Sequence, residues 1–362
     1  MRQERRDVYH PKKKRNWVLI PAAVVLILLG LFLLLFSSLQ KYLVYGQGEL
    51  YIRLPWEETT PVDGETADAY RPTENAELVV DDYDFSNVQT DAGEGITTLK
   101  ALYVPASDIA AGNLQSFIDR LEINNANALV LQVKPESGQL VYPSAVSTAV
   151  GYGLSGTYDL ASQVSSLKDQ GVYLVAELSC AIDGLLAQRY ASLALTNADG
   201  TPYQDGTGVW LDLYSTALRQ YLVDLANELA AMGFDEILFS YAAHPGVEGL
   251  NYTESMTTQP NAVSAVSAFS KYMEQQLGET VKLSLRCSQD ALRNGVGSNG
   301  QDMDLVYRVY DRVYCASDTG TIDSDRAAAL GYMQTQNPDR FVPVAYTALT
   351  DDSWMLLTWK EQ

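Results

Sequence analysis

Eight short apolar runs, separated by amphipathic segments, occupy the chain from Leu99 to its end. Alternation of this kind predicts repeated strand–helix units and a parallel sheet. The predicted strands are 99–104, 128–133, 172–178, 236–241, 281–286, 312–316, 341–346 and, with the weakest signal, 354–358. Eight strands in roughly 260 residues predict an α/β fold in which the sheet closes into a (β/α)8 barrel.

An open doubly wound sheet is the alternative fold. It is disfavoured because residues 105–108 (PASD), and not a glycine-rich nucleotide loop, follow the first predicted strand. The segment between the first two strands has apolar residues at i, i+3, i+4 and i+7, the spacing of one buried helical face. Few residues follow the last predicted strand, so full closure of the barrel at its C-terminus stays an open question.

Residues 17–36 carry no charge and form a run of about twenty residues, long enough to cross a bilayer as one helix. Seven basic and two acidic residues precede this run, which predicts a cytoplasmic N-terminus and an extracellular main domain. A cleaved signal peptide is the alternative, but its apolar region is usually shorter and residues 37–41 offer no convincing cleavage site. We therefore expect a signal-anchor, a single-pass helix that holds the protein in the cell membrane.

Residues 53–95 are acidic and rich in threonine, proline and aspartate, a composition typical of an extended stalk. The sequence therefore predicts a cytoplasmic basic tail (1–16), a transmembrane anchor (17–36), an extracellular acidic stalk (37–97) and a barrel (98–362). Without the basic tail, 18 basic residues stand against 43 acidic ones. This charge excludes nucleic acid as a partner, because its phosphates would be repelled.

Three cysteines, Cys180, Cys287 and Cys315, are too few for a disulfide-built scaffold, so the fold must depend on its core. A bridge between Cys287 and Cys315, on neighbouring predicted strands, is left open. The chain has two histidines, which excludes a histidine-rich metal centre, and no cofactor is expected. A calcium site built from carboxylates alone is the remaining alternative.

Polar and aromatic side chains follow the predicted strands at their carboxyl ends, where barrel enzymes carry their chemistry. Tyrosine suits a sugar, because its ring fits the C–H face and its hydroxyl reaches the edge. The predicted substrate-binding residues are Tyr103, Gln132, Lys134, Trp210, Ser240, Tyr241, His244, Arg286, Tyr314 and Tyr346. For His244, a hydrogen bond within its own loop is the favoured role.

Glycoside cleavage needs two carboxyl groups, one on each side of the bond. Glu177 is the first catalytic candidate, because it lies inside an apolar run where an unpaired carboxylate is costly to bury. Glu136 and Asp318 are the candidate partners, with Asp183 as an alternative. A structural ion pair of Glu177 with Lys134 or Arg286 is the competing interpretation.

Four stretches resemble one bacterial family of glycoside-hydrolase barrels, long catalogued as a domain of unknown function. They are residues 128–134 (ALVLQVK), 171–177 (GVYLVAE), 208–215 (GVWLDLYS) and 233–241 (GFDEILFSY). The family patterns are V-I-D-V-K, V-W-x-D-P-Y-S and G-F-D-E-I-Q-F-D-Y-x-R-F-P. The matching residues are Lys134, Trp210, Asp212, Tyr214, Ser215, Gly233, Phe234, Asp235, Glu236, Phe239, Tyr241 and Pro245. The resemblance implies a TIM-like barrel that acts on polysaccharide or cell-wall glycan.

The chain departs from this family at three strand positions. Ser240 stands where the family has the acidic residue of F-D-Y, Gln132 replaces an aspartate, and Glu177 replaces an arginine. A serine cannot supply the charge of a carboxylate beside an oxocarbenium-like transition state. Hydrolysis therefore requires other carboxylates, such as Glu177 with Glu136 or Asp318, and without them the barrel is a pseudoenzyme.

Three functions fit these observations. The leading one is a membrane-anchored, extracellular barrel that binds and hydrolyses envelope or extracellular polysaccharide, which predicts a pair of carboxyl groups at the mouth. A catalytically inactive carbohydrate-binding module predicts exposed aromatic rings without such a pair. An envelope scaffold with a protein partner predicts an exposed apolar patch of several hundred Å².

Overall fold

The structure is a computed structural model that describes residues 43–46, 49–52, 92–253, 261–318, 320–347, 349 and 352–357. The predicted basic tail, the predicted membrane anchor and most of the predicted stalk lie outside these residues. Within the described ranges, no helix is both long enough and apolar enough to cross a membrane.

Two short strands form an antiparallel hairpin within the segment predicted as a stalk. Strand β1 (Leu43–Gly46) pairs with β2 (Glu49–Ile52), which places Leu43 opposite Ile52. The hairpin belongs to a unit that spans Met1–Thr73, whereas the barrel belongs to the unit Glu74–Gln362. The stalk predicted for residues 37–97 was expected to be extended, and this hairpin was not part of that prediction.

Eight parallel strands close into a TIM-like barrel, which confirms the predicted fold. They are β3 (Lys100–Val104), β4 (Ala128–Lys134), β5 (Tyr173–Ser179), β6 (Glu236–Ser240), β7 (Lys282–Cys287), β8 (Arg312–Ala316), β9 (Phe341–Ala345) and β10 (Trp354–Leu356). Met355 of β10 lies opposite both Ala101 and Val344, so β10 closes the barrel between β3 and β9. The open-sheet alternative is therefore wrong.

Helices follow the barrel strands in the described parts of the chain. They are α1 (Ala106–Ala110), α2 (Leu114–Ile118), α3 (Ser147–Gly151), α4 (Leu160–Asp169), α5 (Gly184–Arg189), α6 (Thr216–Met232), α7 (Ala262–Leu277), α8 (Gln289–Asn294), α9 (Met303–Val309) and α10 (Ile322–Tyr332), with short 3-10 helices at Ala191–Leu193 and Pro338–Arg340. Helix α6 shows how its ends are set. The Ser215 hydroxyl accepts a hydrogen bond from the Leu218 N–H at 3.5 Å, and Gly233 ends the helix with φ +116°.

The middle of the barrel is filled by apolar side chains from alternate positions of its strands, including Ala101, Val130, Val175 and Leu238. A larger apolar core lies between the barrel and its helices. Because both faces of every strand are covered, the strands have near-continuous apolar sequences. This pattern made them visible in the sequence.

The amino-terminal end of the barrel is sealed by a buried polar network around Glu236. Its carboxylate forms an ion pair with Arg312 and accepts hydrogen bonds from the hydroxyls of Tyr173 at 2.9 Å, Tyr314 at 2.7 Å and Ser284. Burial of the Glu236 carboxylate would be costly if it were unpaired, and these four partners satisfy its charge and its oxygens. Glu236, the first residue of β6, therefore has a structural role at the end of the barrel opposite the mouth.

Candidate functional site

Glu177 and Arg286 form an ion pair at the carboxyl ends of the barrel strands. Arg286 Nη1 lies 3.2 Å from Glu177 Oε1, and the two side chains are 28% and 1% exposed. Glu177 Oε2 is also buried, and the Tyr103 hydroxyl lies beside the same carboxylate. Strand β6, which ends at Ser240, lies between the strands that carry this pair. The buried carboxylate thus has a cation on one oxygen and a tyrosine hydroxyl beside it.

Two half-buried tyrosines, Tyr103 and Tyr241, lie beside this ion pair. Burial, followed by the negative charge of Glu177, raises the pKa of Tyr103. The pKa of Tyr241 is raised by burial, by Glu136 and by Glu177. Tyr241 also has φ +51°, a left-handed conformation that is uncommon for a residue other than glycine and that often occurs at functional sites.

Glu136 brings a second carboxylate to the same mouth. Its Oε2 accepts a hydrogen bond at 3.2 Å from Gln132 Nε2, while Gln132 Oε1 accepts one from the Ala106 N–H at 3.2 Å. Glu136 also contributes to the raised pKa values of both Tyr103 and Tyr241. Two carboxylates, one buried and one partly exposed, therefore act on the same two tyrosine hydroxyls.

Lys134 lies beneath this mouth and not in it. Its Nζ is fully buried, 2.7 Å from Asp183 Oδ2, and donates to the Ser179 carbonyl at 2.7 Å. The register between β4 and β5 shifts between Gln132 and Lys134, which redirects the lysine. Asp183 also caps α5 by accepting the Leu186 N–H at 2.7 Å. This ion pair joins the end of β4 to the loop that follows β5.

Three other predicted binding residues are occupied by structural hydrogen bonds. Tyr314 lies in the network around Glu236 at the opposite end of the barrel. The Trp210 indole donates to Asp205 Oδ2 at 2.9 Å. Ser240 is buried, and its hydroxyl donates to the Leu178 carbonyl at 3.4 Å.

His244 is held by its own loop. Its Nδ1 accepts the Gly246 N–H at 3.1 Å, its Nε2 lies 3.3 Å from the Tyr252 hydroxyl, and the two rings stack. Burial lowers the pKa of His244 to about 4, so the ring is neutral at pH 7. This arrangement matches the loop-bonding role that the sequence favoured.

Two predicted site residues are exposed at the ends of their strands. Tyr346, which follows β9, is 70% exposed. Asp318, which follows β8, is also exposed, and its backbone carbonyl accepts hydrogen bonds from Thr321. The structure therefore brings together Tyr103, Gln132, Glu136, Glu177, Tyr241 and Arg286, with Tyr346 and Asp318 outside this cluster.

No group of three or more histidine, cysteine, aspartate or glutamate residues in the described part of the chain is arranged to hold a metal ion. Cys287 and Cys315 lie opposite each other in the β7–β8 register, but both are free and buried, as is Cys180.

The sequence did not reveal the structural role of Asp183, which pairs with Lys134. It also did not reveal that Asp183 leaves no space for a side chain at Gly138. The available signal was an aspartate followed by Gly184-Leu185-Leu186, an N-cap at the start of a short helix.

Comparison with known proteins gives a family and several solved structures. A family model described as "Putative glycosyl hydrolase domain" matches residues 101–297. No curated protein matches the chain. A hypothetical protein from Ruminiclostridium thermocellum ATCC 27405 is 25% identical with a TM-score of 0.46, over 51% of this chain and 96% of that one.

Two further solved structures are similar at lower identity. The GH20 beta-N-acetylhexosaminidase from Streptomyces coelicolor A3(2) is 16% identical with a TM-score of 0.45, over 73% of this chain and 52% of that one. The glycoside hydrolase domain of PelA from Pseudomonas aeruginosa is 15% identical with a TM-score of 0.40, over 69% and 84%. The chain thus spans about half the length of the hexosaminidase.

Proposed function

Because the chain belongs to the glycosyl hydrolase domain family whose model it matches over residues 101–297, we propose that its barrel binds polysaccharide at the mouth and hydrolyses glycosidic bonds there. The residues proposed for this chemistry are Glu177 and Glu136. Tyr103, Tyr241 and Arg286 surround them, and Tyr346 offers an exposed ring at the rim.

The observation that carries this proposal is the buried carboxylate of Glu177, which shares its two tyrosine neighbours, Tyr103 and Tyr241, with the partly exposed carboxylate of Glu136. Burial of a carboxylate is costly unless it is paired, and Arg286 pairs with Glu177 through Oε1. A carboxylate held in this way at the mouth would stabilise a positively charged transition state.

Glu136 supplies the second carboxyl group that glycoside cleavage requires. It is partly exposed, so it can exchange protons with water and deliver one to the leaving-group oxygen. Gln132 orients it through the 3.2 Å hydrogen bond. In this assignment Glu136 protonates the leaving-group oxygen as the glycosidic bond breaks, while Glu177 stabilises the positive charge that develops on the sugar. Water then adds to the anomeric carbon and returns a proton to Glu136.

The proposal includes the cellular setting predicted from the sequence. An apolar run of about twenty residues behind a basic tail would anchor the chain in the cell membrane and place the barrel outside. The polysaccharide would then belong to the envelope or to the extracellular matrix. Fractionation of cells, followed by protease treatment of intact cells, tests this placement: protection of the barrel from external protease would contradict it.

The activity is tested by incubating the purified full-length chain with cell-wall glycans and soluble polysaccharides, following reducing-end release and retention on the glycan together. We expect release that is lost in both Glu177→Gln and Glu136→Gln. Glu122→Gln, an exposed glutamate elsewhere on the surface, is the matched control. Loss of activity in Asp318→Asn instead of Glu136→Gln would show that the second carboxylate was wrongly assigned.

Polysaccharide binding without hydrolysis is the second candidate function. It is favoured by the 1% exposure of the Glu177 side chain, because substrate must displace neighbouring side chains to reach it. Ser240, in place of the family's acidic residue, favours it as well. Retention on glycan without release, unchanged in Glu177→Gln, would establish this function. If the chain neither releases reducing ends nor is retained on any glycan, the proposal that it recognises glycan is wrong and a scaffold role is favoured.

A further inference from the structure

A groove of about 510 Å³ lies between α5 and the loop that precedes α6. This volume is within the range of about 300–1,000 Å³ that is usual for ligand sites. No charged side chain is present among the described residues that line it, although the whole chain carries a net charge of −20. Its hydrogen-bonding side chains are Gln188, Asn197, Thr201, Tyr203 and Gln204.

One wall of this groove is the loop of residues 195–210, which is held in place by hydrogen bonds within the loop. The Tyr203 N–H donates to the Leu195 carbonyl at 2.7 Å, and the Trp210 N–H donates to the Tyr203 carbonyl at 3.1 Å. Asp205 accepts the Thr207 N–H at 2.7 Å and the Trp210 indole N–H at 2.9 Å. The groove is therefore formed before any ligand binds, which lowers the entropic cost of binding.

The opposite wall of the groove, formed by α5, is hydrogen-bonded to the loop that carries Glu136. The Gly184 N–H donates to the backbone carbonyl of Glu136 at 3.1 Å, and the Leu185 N–H donates to the Ser137 carbonyl at 2.9 Å. Gly184 also lines the groove. The groove thus begins one hydrogen bond away from the loop that carries Glu136.

We infer that this groove is an additional subsite that binds uncharged sugar units of the same polysaccharide chain that occupies the mouth. The inference rests on the proposed function. Amide and hydroxyl groups can hydrogen-bond sugar hydroxyls, and the half-buried Tyr203 ring offers an apolar face to a sugar ring. A lining without cations gives a uronic acid or a phosphorylated sugar no charged partner, so the substrate class is a neutral polymer.

Binding of the full-length chain to starch glucan, β-glucan and mannan, with polygalacturonate as the anionic probe, tests the subsite by affinity gel electrophoresis. We expect retention on at least one neutral polymer. We expect Tyr203→Ala to weaken that retention about tenfold, and Tyr203→Phe to preserve most of it because the ring remains. Tyr272→Ala, another half-buried tyrosine on α7 and outside the groove, is the matched control.

The outcomes separate the subsite from the proposed function. If the unaltered chain is retained on no glycan, the proposed function fails. If it is retained equally with Tyr203→Ala, the subsite is wrong although the proposed function stands. Preferred retention on polygalacturonate would overturn the neutral substrate class. If thermal denaturation shows that Tyr203→Ala is poorly folded, Gln204→Ala replaces it in the test, because Gln204 lines the groove and its side chain is exposed. Weaker retention of Gln204→Ala would then support the subsite, and unchanged retention would contradict it.

Discussion

Arg286 Nη1 lies 3.2 Å from Glu177 Oε1, so strand β7 supplies the cation that neutralises the buried carboxylate of strand β5. The pair is asymmetric, because Glu177 is buried whereas Arg286 retains access to water. Removal of the arginine leaves a buried negative charge, and removal of the glutamate leaves a cation that water can solvate.

We therefore expect Arg286→Met to destabilise the fold more than Glu177→Gln does. Loss of one partner from a buried pair costs about 3–5 kcal/mol, and the partial exposure of Arg286 reduces the expected cost to about 1–3 kcal/mol. Urea unfolding of the two single variants and of the double variant measures the coupling between the residues. Additive effects would show that the ion pair contributes nothing to stability.

The pair of Lys134 with Asp183 should behave as a structural element. Both side chains are fully buried, so Lys134→Met leaves an unpaired carboxylate and should lower the free energy of unfolding by about 3–5 kcal/mol. The double variant Lys134→Met/Asp183→Asn should recover part of this loss. If Lys134→Met instead abolished glycan retention at unchanged stability, a direct role in substrate binding would be supported.

Gly138 is required by the position of Asp183. It has φ +86°, and a Cβ atom on it would lie 1.8 Å from Asp183 Oδ1, an impossible contact with a buried and paired side chain. Gly138→Ala should therefore cost more than about 3 kcal/mol, since strain and displacement add. Gly200→Ala is the matched control: it has φ +82° with nothing within 4 Å, and should cost about 1–2 kcal/mol from backbone strain alone. Equal costs would contradict the steric explanation.

His244 should make the stability of the barrel depend on pH. Its pKa is lowered from 6.5 to about 4 in the folded chain, so between these values the unfolded chain binds more protons. Stability is then fully present above about pH 6.5 and is lost as the pH falls toward 4. The loss should be about 1–3 kcal/mol, measured as the difference in urea unfolding between pH 7 and pH 4.5. His244→Gln should show a smaller difference, and an equal one would refute this assignment.

Prediction of the strands succeeded for a physical reason. A parallel strand buried on both faces must be apolar along its whole length, so β4, β5 and β6 are visible as runs without any knowledge of their neighbours. The ends of α6 depend on equally local chemistry, because the Ser215 hydroxyl caps its first turn and Gly233 ends it in a left-handed conformation. These are short-range effects.

The mouth was predicted only in part. Tyr103, Gln132, Glu177 and Arg286 were predicted because they lie at the carboxyl ends of their strands, and the structure does place them together. The same criterion predicted Lys134 for the mouth, but the β4–β5 register shifts after Gln132 and the lysine pairs with the buried Asp183. A bulge depends on the pairing of two strands, so one strand's sequence does not reveal it.

The sequence by itself determined which segments become strands and helices and which residue types reach the carboxyl ends of the strands, because burial and backbone capping act locally. Only the tertiary structure decided which of those residues are partners. Arg286 reaches Glu177, Lys134 turns to Asp183, and Glu136 joins the tyrosines because closure of the barrel brings together residues that are distant along the chain. Ion pairs and subsites depend on such distances, which no local pattern encodes.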